Sequence, residues 1–105
     1  MLLESDIQTK IIEYLHGRPF TYVYNAGGGA SSARGTSDLL VCYRGLFVAF
    51  ELKRPDGNYG LTTPQRIRFR QVHKAQGVAE VATSIDDVRR VLDSITEKGE
   101  ECNTY

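Results

Sequence analysis

Residues 35–53 read Gly-Thr-Ser-Asp-Leu-Leu-Val-Cys-Tyr-Arg-Gly-Leu-Phe-Val-Ala-Phe-Glu-Leu-Lys. Two runs rich in Leu, Val, Phe and Tyr flank Arg44-Gly45, and the glycine can adopt the positive φ that a tight hairpin turn needs. The pattern therefore predicts two antiparallel β-strands with the turn at Arg44-Gly45. A symmetric turn pairs residues whose numbers sum to 89, so that Asp38 faces Glu51 with Cβ atoms about 4.5–5.5 Å apart.

Two carboxylates that face each other across a strand pair repel unless a cation lies between them. Lys53 follows Glu51 by two residues and shares its face, and a divalent cation would supply the remaining charge. Mg²⁺ prefers oxygen ligands and is commonly held by one or two carboxylates. Asp38, Glu51 and Lys53 therefore predict a metal-dependent site for phosphodiester chemistry. The alternative is a salt-bridged hairpin face exposed to solvent.

Both faces of the predicted hairpin are apolar. One face carries Leu39, Val41, Tyr43, Val48, Phe50 and Leu52, and the face of the acids carries Leu40, Cys42, Phe47 and Ala49. Strands that are apolar on both faces are usually covered on both. We therefore expect a central hairpin with a buried Cys42.

The chain has 105 residues, which is the size of one domain with one core. We expect a single domain over residues 1–96 and a polar tail over 97–105. The formal net charge is zero, so any nucleic-acid surface must be local. Cys42 and Cys102 are too far apart in the sequence to indicate a disulfide framework or a zinc site. The absence of a signal peptide or long apolar run predicts a cytoplasmic location, that of the host cell if the chain is viral.

Helical periodicity precedes the hairpin. Residues 3–16 place Ile7, Ile11 and Leu15 on one stripe, and Gly17 follows. Glu4 lies on the same stripe, where it either complements the helix dipole or points toward the metal site.

A strand over residues 20–25 leads into the glycine-rich segment 26–34. The segment lacks the Lys-Ser/Thr ending of a phosphate loop. It is either a mobile connection or a loop that overhangs the site and brings Arg34 to a nucleic-acid backbone.

A helix is predicted over residues 63–76, with Thr63 as the N-cap and Pro64 at the first helical position. Gln65 lies at its inward tip, either as a capping or core-edge amide or as a group that orders a water or a phosphate near the metal. Residues 52–76 carry six Lys and Arg against one acid, Asp56. This excess is the best candidate for phosphate contact in a chain of zero net charge, and the alternative is a solvated face. The predicted DNA contacts are Arg34, Arg54, Arg66, Arg70 and Lys74, and His73 falls on the same basic side.

A short strand over residues 77–83 and a helix capped by Ser84 and Asp87 complete the chain. The helix has Ile85, Val88, Val91, Leu92 and Ile95 on its buried side. The order helix, strand, strand, strand, helix, strand, helix predicts an α/β fold around a mixed sheet. The connection over residues 54–77 is long enough for the last strand to lie parallel to an earlier one.

This ordered set of motifs resembles the PD-(D/E)XK nuclease superfamily. The motifs are Gly35-Thr-Ser-Asp38, Glu51-Leu-Lys53 and the helix-opening Gln65. Within that superfamily the chain is similar to the virus-type replication and repair nuclease group, VRR-NUC, through Glu4, Asn25-Ala-Gly27 and Leu61-Thr-Thr-Pro-Gln65. Ser37 departs from the pattern, since the family usually has Pro before the Asp, and this reduces rigidity but removes no chemistry.

The resemblance implies a restriction-endonuclease-like αβββαβ(α) core and a Mg²⁺- or Mn²⁺-dependent DNA endonuclease that acts on branched DNA such as four-way junctions. It implies Asp38, Glu51 and the Leu52 carbonyl as metal ligands, Lys53 as the group that orients or activates water, and Gln65 and Glu4 as completing residues. It further implies a homodimer, and a helicase that delivers the DNA is a candidate partner. The alternatives are a non-catalytic DNA-binding module of the same fold and a simple nicking or restriction-like endonuclease.

Overall fold

A computed structural model describes the backbone of residues 4–25, 39–55 and 60–102, and the side chains of residues 6–25, 39–55 and 60–98. Within these residues, seven elements follow one another in the predicted order. They are α1 (Glu4–His16), β1 (Thr21–Tyr24), β2 (Leu39–Tyr43), β3 (Leu46–Leu52), α2 (Thr63–Lys74), β4 (Val78–Ala82) and α3 (Ile85–Cys102). The sheet has the order β1-β2-β3-β4, antiparallel except for the parallel pair β3–β4. The α/β fold with a mixed sheet is confirmed.

The hairpin of β2 and β3 has the predicted register. Val41 pairs with Val48 and Tyr43 pairs with Leu46, so the paired numbers sum to 89. Arg44 and Gly45 both have positive φ, at 52° and 84°. Two successive positive φ values match the right-handed twist of the strands, which is why this turn type is favoured in hairpins.

The main core lies between one face of the sheet and the helices α1 and α3. The stripe Ile7, Ile11 and Leu15 is 5%, 0% and 0% exposed, which confirms the predicted inward face of α1. Val88 and Leu92 of α3 are fully buried beside it. The strands contribute Leu39, Val41, Tyr43, Val48, Phe50, Leu52 and Ala82. No helix among the described residues is long and apolar enough to span a bilayer.

The opposite face of the sheet is covered only in part. Helix α2 packs against β4, and its Gln65 contacts Glu51 of β3, while Cys42 and Phe47 near the turn are exposed. The expectation of a hairpin covered on both faces, with Cys42 buried, is therefore wrong. The reason is the way the helices are distributed. Helices α1 and α3 pack against each other on the same side of the sheet, and among the described residues only α2 lies on the other side.

The start of α2 differs from the prediction by one residue. The N-cap is Thr62, not Thr63, and Pro64 is the second helical residue. Thr62 Oγ1 accepts from Gln65 N at 3.3 Å, and Gln65 Oε1 accepts from Thr62 N at 2.8 Å. This capping box needs a Gln or Glu three residues after the cap, and Gln65 stands at that distance from Thr62.

The last helix is longer than predicted. It continues to Cys102, beyond residue 96 where a frayed polar segment was expected, since Glu and Lys are good helix formers. At its start Ser84 Oγ accepts from Asp87 N, but the Asp87 carboxylate accepts from Thr83 N and Thr83 Oγ1. Burial alone would raise the pKa of Asp87, and these hydrogen bonds, with Arg90 beside the carboxylate, lower it.

A polar cluster joins α1, β2 and α3 at the turn end of the sheet. Arg18 donates to the Tyr14 hydroxyl at 2.6 Å, to the Tyr43 hydroxyl at 3.2 Å and to Asp93 Oδ1 at 2.6 Å. Its guanidinium also lies 5.2 Å from the centroid of the Tyr43 ring. Burial lowers the pKa of Arg18, but these hydrogen bonds outweigh it and hold the pKa above its ordinary value.

Candidate active site

Glu51 is the centre of the candidate site. It lies near the end of β3 with 4% of its surface exposed, and no other charged side chain in the described part of the chain is buried. Val81 of β4 is its partner in the parallel register. A carboxylate in such a place is costly unless hydrogen bonds or a cation compensate it. A strand that needed only packing would have an apolar residue here.

Gln65 reaches Glu51 from the first turn of α2. Its Nε2 donates to Glu51 Oε1 at 2.7 Å, while its Oε1 completes the capping box with Thr62. The sequence left two roles open for Gln65, capping of the helix and a contact within the site. The same side chain therefore has both roles. The carboxylate also lies near the helix N-terminus, where the helix dipole favours negative charge.

Lys53 stands on the same face of the strand as Glu51. Its backbone N donates to Ala82 O at 3.0 Å, so the ladder between β3 and β4 extends one residue past Leu52. Alternation along a strand then puts the side chains of residues 51 and 53 on one side. The Lys53 side chain is half-buried. Leu52, between them, has its side chain in the core at 1% exposure.

Three of the predicted site residues cannot be placed. Asp38 and Arg34 lie outside the described residues, as does the segment 26–34. Glu4 is the first residue of α1, and its side chain is also outside the description. The facing of Asp38 and Glu51 thus stays a prediction.

The described oxygen donors are compatible with a hard divalent cation. A buried carboxylate on Glu51 and a neighbouring backbone carbonyl are ligand types that Mg²⁺ and Mn²⁺ take. Among the residues that the structure describes, no three His, Cys, Asp or Glu side chains form a complete set, and Asp38 is not among those residues. The described residues therefore provide part of the ligand set of a divalent cation.

The basic residues of α2 lie beside this site. The helix has three arginines, one lysine and no acid, and Arg66, Arg70 and Lys74 are exposed, as is Arg54 after β3. His73 is exposed with them, as predicted, and it has one further contact, because its Nε2 lies 3.3 Å from both N and O of Ala79. It therefore also links α2 to β4.

Thr62 is the residue of the site that the sequence prediction missed. It holds the amide of Gln65 in the orientation from which Nε2 meets Glu51. The signal was present, since Thr62 and Gln65 have the spacing of a capping box. The adjacent Thr63-Pro64 pair offered an equally good start signal.

Comparison with known proteins gives a likeness in structure. No family model matches the chain, and no curated protein sequence matches it. A solved structure described as a VRR_NUC domain protein is similar, with a TM-score of 0.66 and 24% identity over 92% of this chain and 88% of that chain. At that identity the likeness shows the fold, and it agrees with the fold expected from the sequence motifs.

Proposed function

We propose that this chain is a nuclease of the VRR-NUC type that hydrolyses DNA phosphodiester bonds with the aid of Mg²⁺ or Mn²⁺. The observation that carries the proposal is the buried Glu51, held by Gln65 near the end of β3. The fold, shared with a VRR_NUC domain protein, supports it. Structural roles alone do not explain a buried acid, because an apolar residue would pack there at lower cost.

Each side chain in the proposal has one role. Glu51, Asp38 and the Leu52 carbonyl would hold the cation, and Gln65 would keep the Glu51 carboxylate in one orientation. Lys53 would place a positive charge beside the attacking water, and Glu4 would complete the site. A bound divalent ion supplies charge neutralisation for the phosphate and lowers the pKa of a bound water.

The exposed cations would bind the DNA backbone. Arg54, Arg66, Arg70, Lys74 and Arg34 are the proposed phosphate contacts. Such contacts position the duplex without reading sequence, which suits an enzyme that recognises the shape of DNA. We propose branched DNA, such as a four-way junction, as the substrate, and a homodimer as the working form. We also propose a helicase as the partner that delivers this DNA to the enzyme.

Cleavage assays test this proposal directly. Purified protein would be given duplex, flap, single-stranded and four-way-junction DNA with Mg²⁺, Mn²⁺ or EDTA. We expect cleavage only with a divalent ion, and loss of cleavage in Glu51→Gln, Asp38→Asn and Lys53→Ala. A second measurement is thermal unfolding with Mn²⁺, since an ion that binds only the folded state raises Tm. We expect this shift in the wild type and its loss in Glu51→Gln.

Glu80→Gln is the matched control, because Glu80 is an exposed acid on the adjacent strand β4. It should retain both cleavage and the shift with Mn²⁺. Cleavage that persists in Glu51→Gln or Lys53→Ala would refute the site. Binding of DNA without any metal-dependent cleavage would instead favour the non-catalytic module, and equal rates on junction and duplex would remove only the branched substrate.

A further inference from the structure

The sheet face that carries Glu51 continues into an exposed aromatic surface. Tyr22 and Tyr24 of β1 and Phe47 of β3 are 69%, 59% and 46% exposed. We call these three residues the aromatic face. Single exposed apolar residues are common on proteins. Here three aromatic side chains lie on the same face of the sheet, so together they form one surface.

The register fixes the spacing of these rings. Tyr22 pairs with Cys42 and Cys42 pairs with Phe47, so Tyr22 and Phe47 lie in one row across three strands. Strand spacings put about 9.6 Å between their Cα positions. Tyr24 lies about 6.8 Å further along β1, toward the Glu51 end. The same spacings put Glu51 about 12 Å from Tyr24, which is within reach of one bound DNA strand.

The charges around the aromatic face favour a polyanion over another protein surface. Helix α2 stands on the same side of the sheet, and it carries three arginines and a lysine but no acid. A second copy placed on this face by two-fold symmetry would present the same surface. It would then bring two basic helices close together, which costs free energy. A nucleic acid strand offers phosphates to α2 and bases to the rings.

We propose that the aromatic face stacks unpaired bases, so that the substrate of this chain contains a single-stranded DNA stretch next to the cleaved bond. This inference rests on the proposed function and narrows its substrate. Stacking is tolerant of sequence because every base has a π face. The cations of α2 would hold the backbone while Tyr24, Tyr22 and Phe47 hold bases. The single strand would thereby be led toward Glu51.

The test measures binding without cleavage. The probe is a fluorescein-labelled oligothymidylate ten nucleotides long, titrated with protein in EDTA and followed by anisotropy. Loss of base–aromatic stacking costs about 1–3 kcal/mol per base, so Tyr22→Ala, Tyr24→Ala and Phe47→Ala should each weaken binding about 5- to 150-fold. Tyr22→Phe keeps the ring and should keep the affinity.

Salt dependence separates stacking from charge. Tyr22→Ala should weaken binding without changing the slope of log affinity against log salt, whereas Arg70→Ala should reduce that slope. Circular dichroism would establish that each variant is folded. Unchanged oligothymidylate affinity in all three alanine variants would overturn the inference.

The failure of this inference can be told apart from failure of the proposed function. Metal-dependent cleavage of DNA together with alanine variants that bind oligothymidylate normally would refute the aromatic face alone. Stacking of bases without any cleavage of DNA would refute the nuclease activity and would leave the base-stacking role of the aromatic face supported. A wild-type dimer that dissociates in Phe47→Ala, measured by light scattering, would assign the face to a second copy and overturn the inference.

Discussion

At the residue scale, Gln65 couples the start of a helix to a buried acid. Its two amide atoms have separate partners, Thr62 N for Oε1 and Glu51 Oε1 for Nε2. An amide is suited to this position because it both donates and accepts. A glutamate would retain the cap but place a second negative charge beside Glu51.

We therefore predict that Gln65→Ala lowers metal affinity and cleavage about 10- to 100-fold, as is typical for groups that orient a metal ligand. Thr62→Ala is the comparison, because it removes the hydroxyl cap and leaves the amide of Gln65 in place. It should cost about 1 kcal/mol of unfolding free energy and much less activity. Isothermal titration with Mn²⁺ and urea unfolding measure the two effects. Equal losses of metal affinity in both variants would contradict the role given to the Gln65–Glu51 bond.

At the element scale, two glycines shape the sheet for different reasons. Gly45 has φ 84° in the hairpin turn, and an added Cβ would meet nothing within 4 Å. Gly77 lies between α2 and β4, where an added Cβ would be 2.9 Å from Phe47 O and 3.0 Å from Val72 Cγ1. The first position needs backbone freedom, and the second needs the absence of a side chain.

Gly77→Ala should consequently destabilise the chain more than Gly45→Ala. A left-handed alanine at position 45 costs about 1–2 kcal/mol, and the strain stays within an exposed turn. At position 77 the Phe47 carbonyl belongs to the sheet, so relief requires that α2 or β4 move, and we expect a cost of about 3 kcal/mol, the upper end for overpacking. Chemical unfolding of both variants tests the order. A smaller loss for Gly77→Ala would mean that the α2–β4 junction is more adaptable than its contacts suggest.

At the scale of the whole molecule, Arg18 connects parts of the chain that are distant in sequence. It binds Tyr14 of α1, Tyr43 of β2 and Asp93 of α3. The side chain of Arg18 is 16% exposed, whereas that of Asp93 is 53% exposed, so solvent screens part of the ion pair. The hydrogen bonds from Arg18 to the hydroxyl groups of Tyr14 and Tyr43 add to the stabilisation by the ion pair. Burial raises the pKa of Tyr43, and hydrogen bonds with Thr96, Arg18 and Arg44 lower it on balance.

Arg18→Met is expected to cost about 2–3 kcal/mol of unfolding free energy, since hydrogen bonds to a charged group contribute about 1.5–3 kcal/mol. The matched control is Arg89→Met, which removes an exposed pair with Asp86 on α3. Exposed pairs contribute about 0–1 kcal/mol, so this variant should unfold close to the wild type. Urea unfolding of Arg18→Met and Arg89→Met measures the two losses. Similar unfolding midpoints would show that the contacts of Arg18 do not hold α1, β2 and α3 together.

Local chemistry in the sequence determined the hairpin, the helix stripes and the order of elements. The Arg44-Gly45 turn and the alternation of apolar residues set the register, and the same alternation put Glu51 and Lys53 on one face. These properties depend on neighbours along the chain, so a single sequence suffices to predict them. The fold implied by the resemblance of the motifs was also confirmed.

Only the tertiary structure decided which face of the sheet each helix covers. Periodicity identifies the inward side of an element but not the element that packs there, so the exposure of Cys42 and Phe47 could not be predicted. The bond from Gln65 to Glu51 spans 14 residues and that from Arg18 to Asp93 spans 75. Such contacts form when distant elements are brought together by burial of the common core, which is a property of the folded chain as a whole.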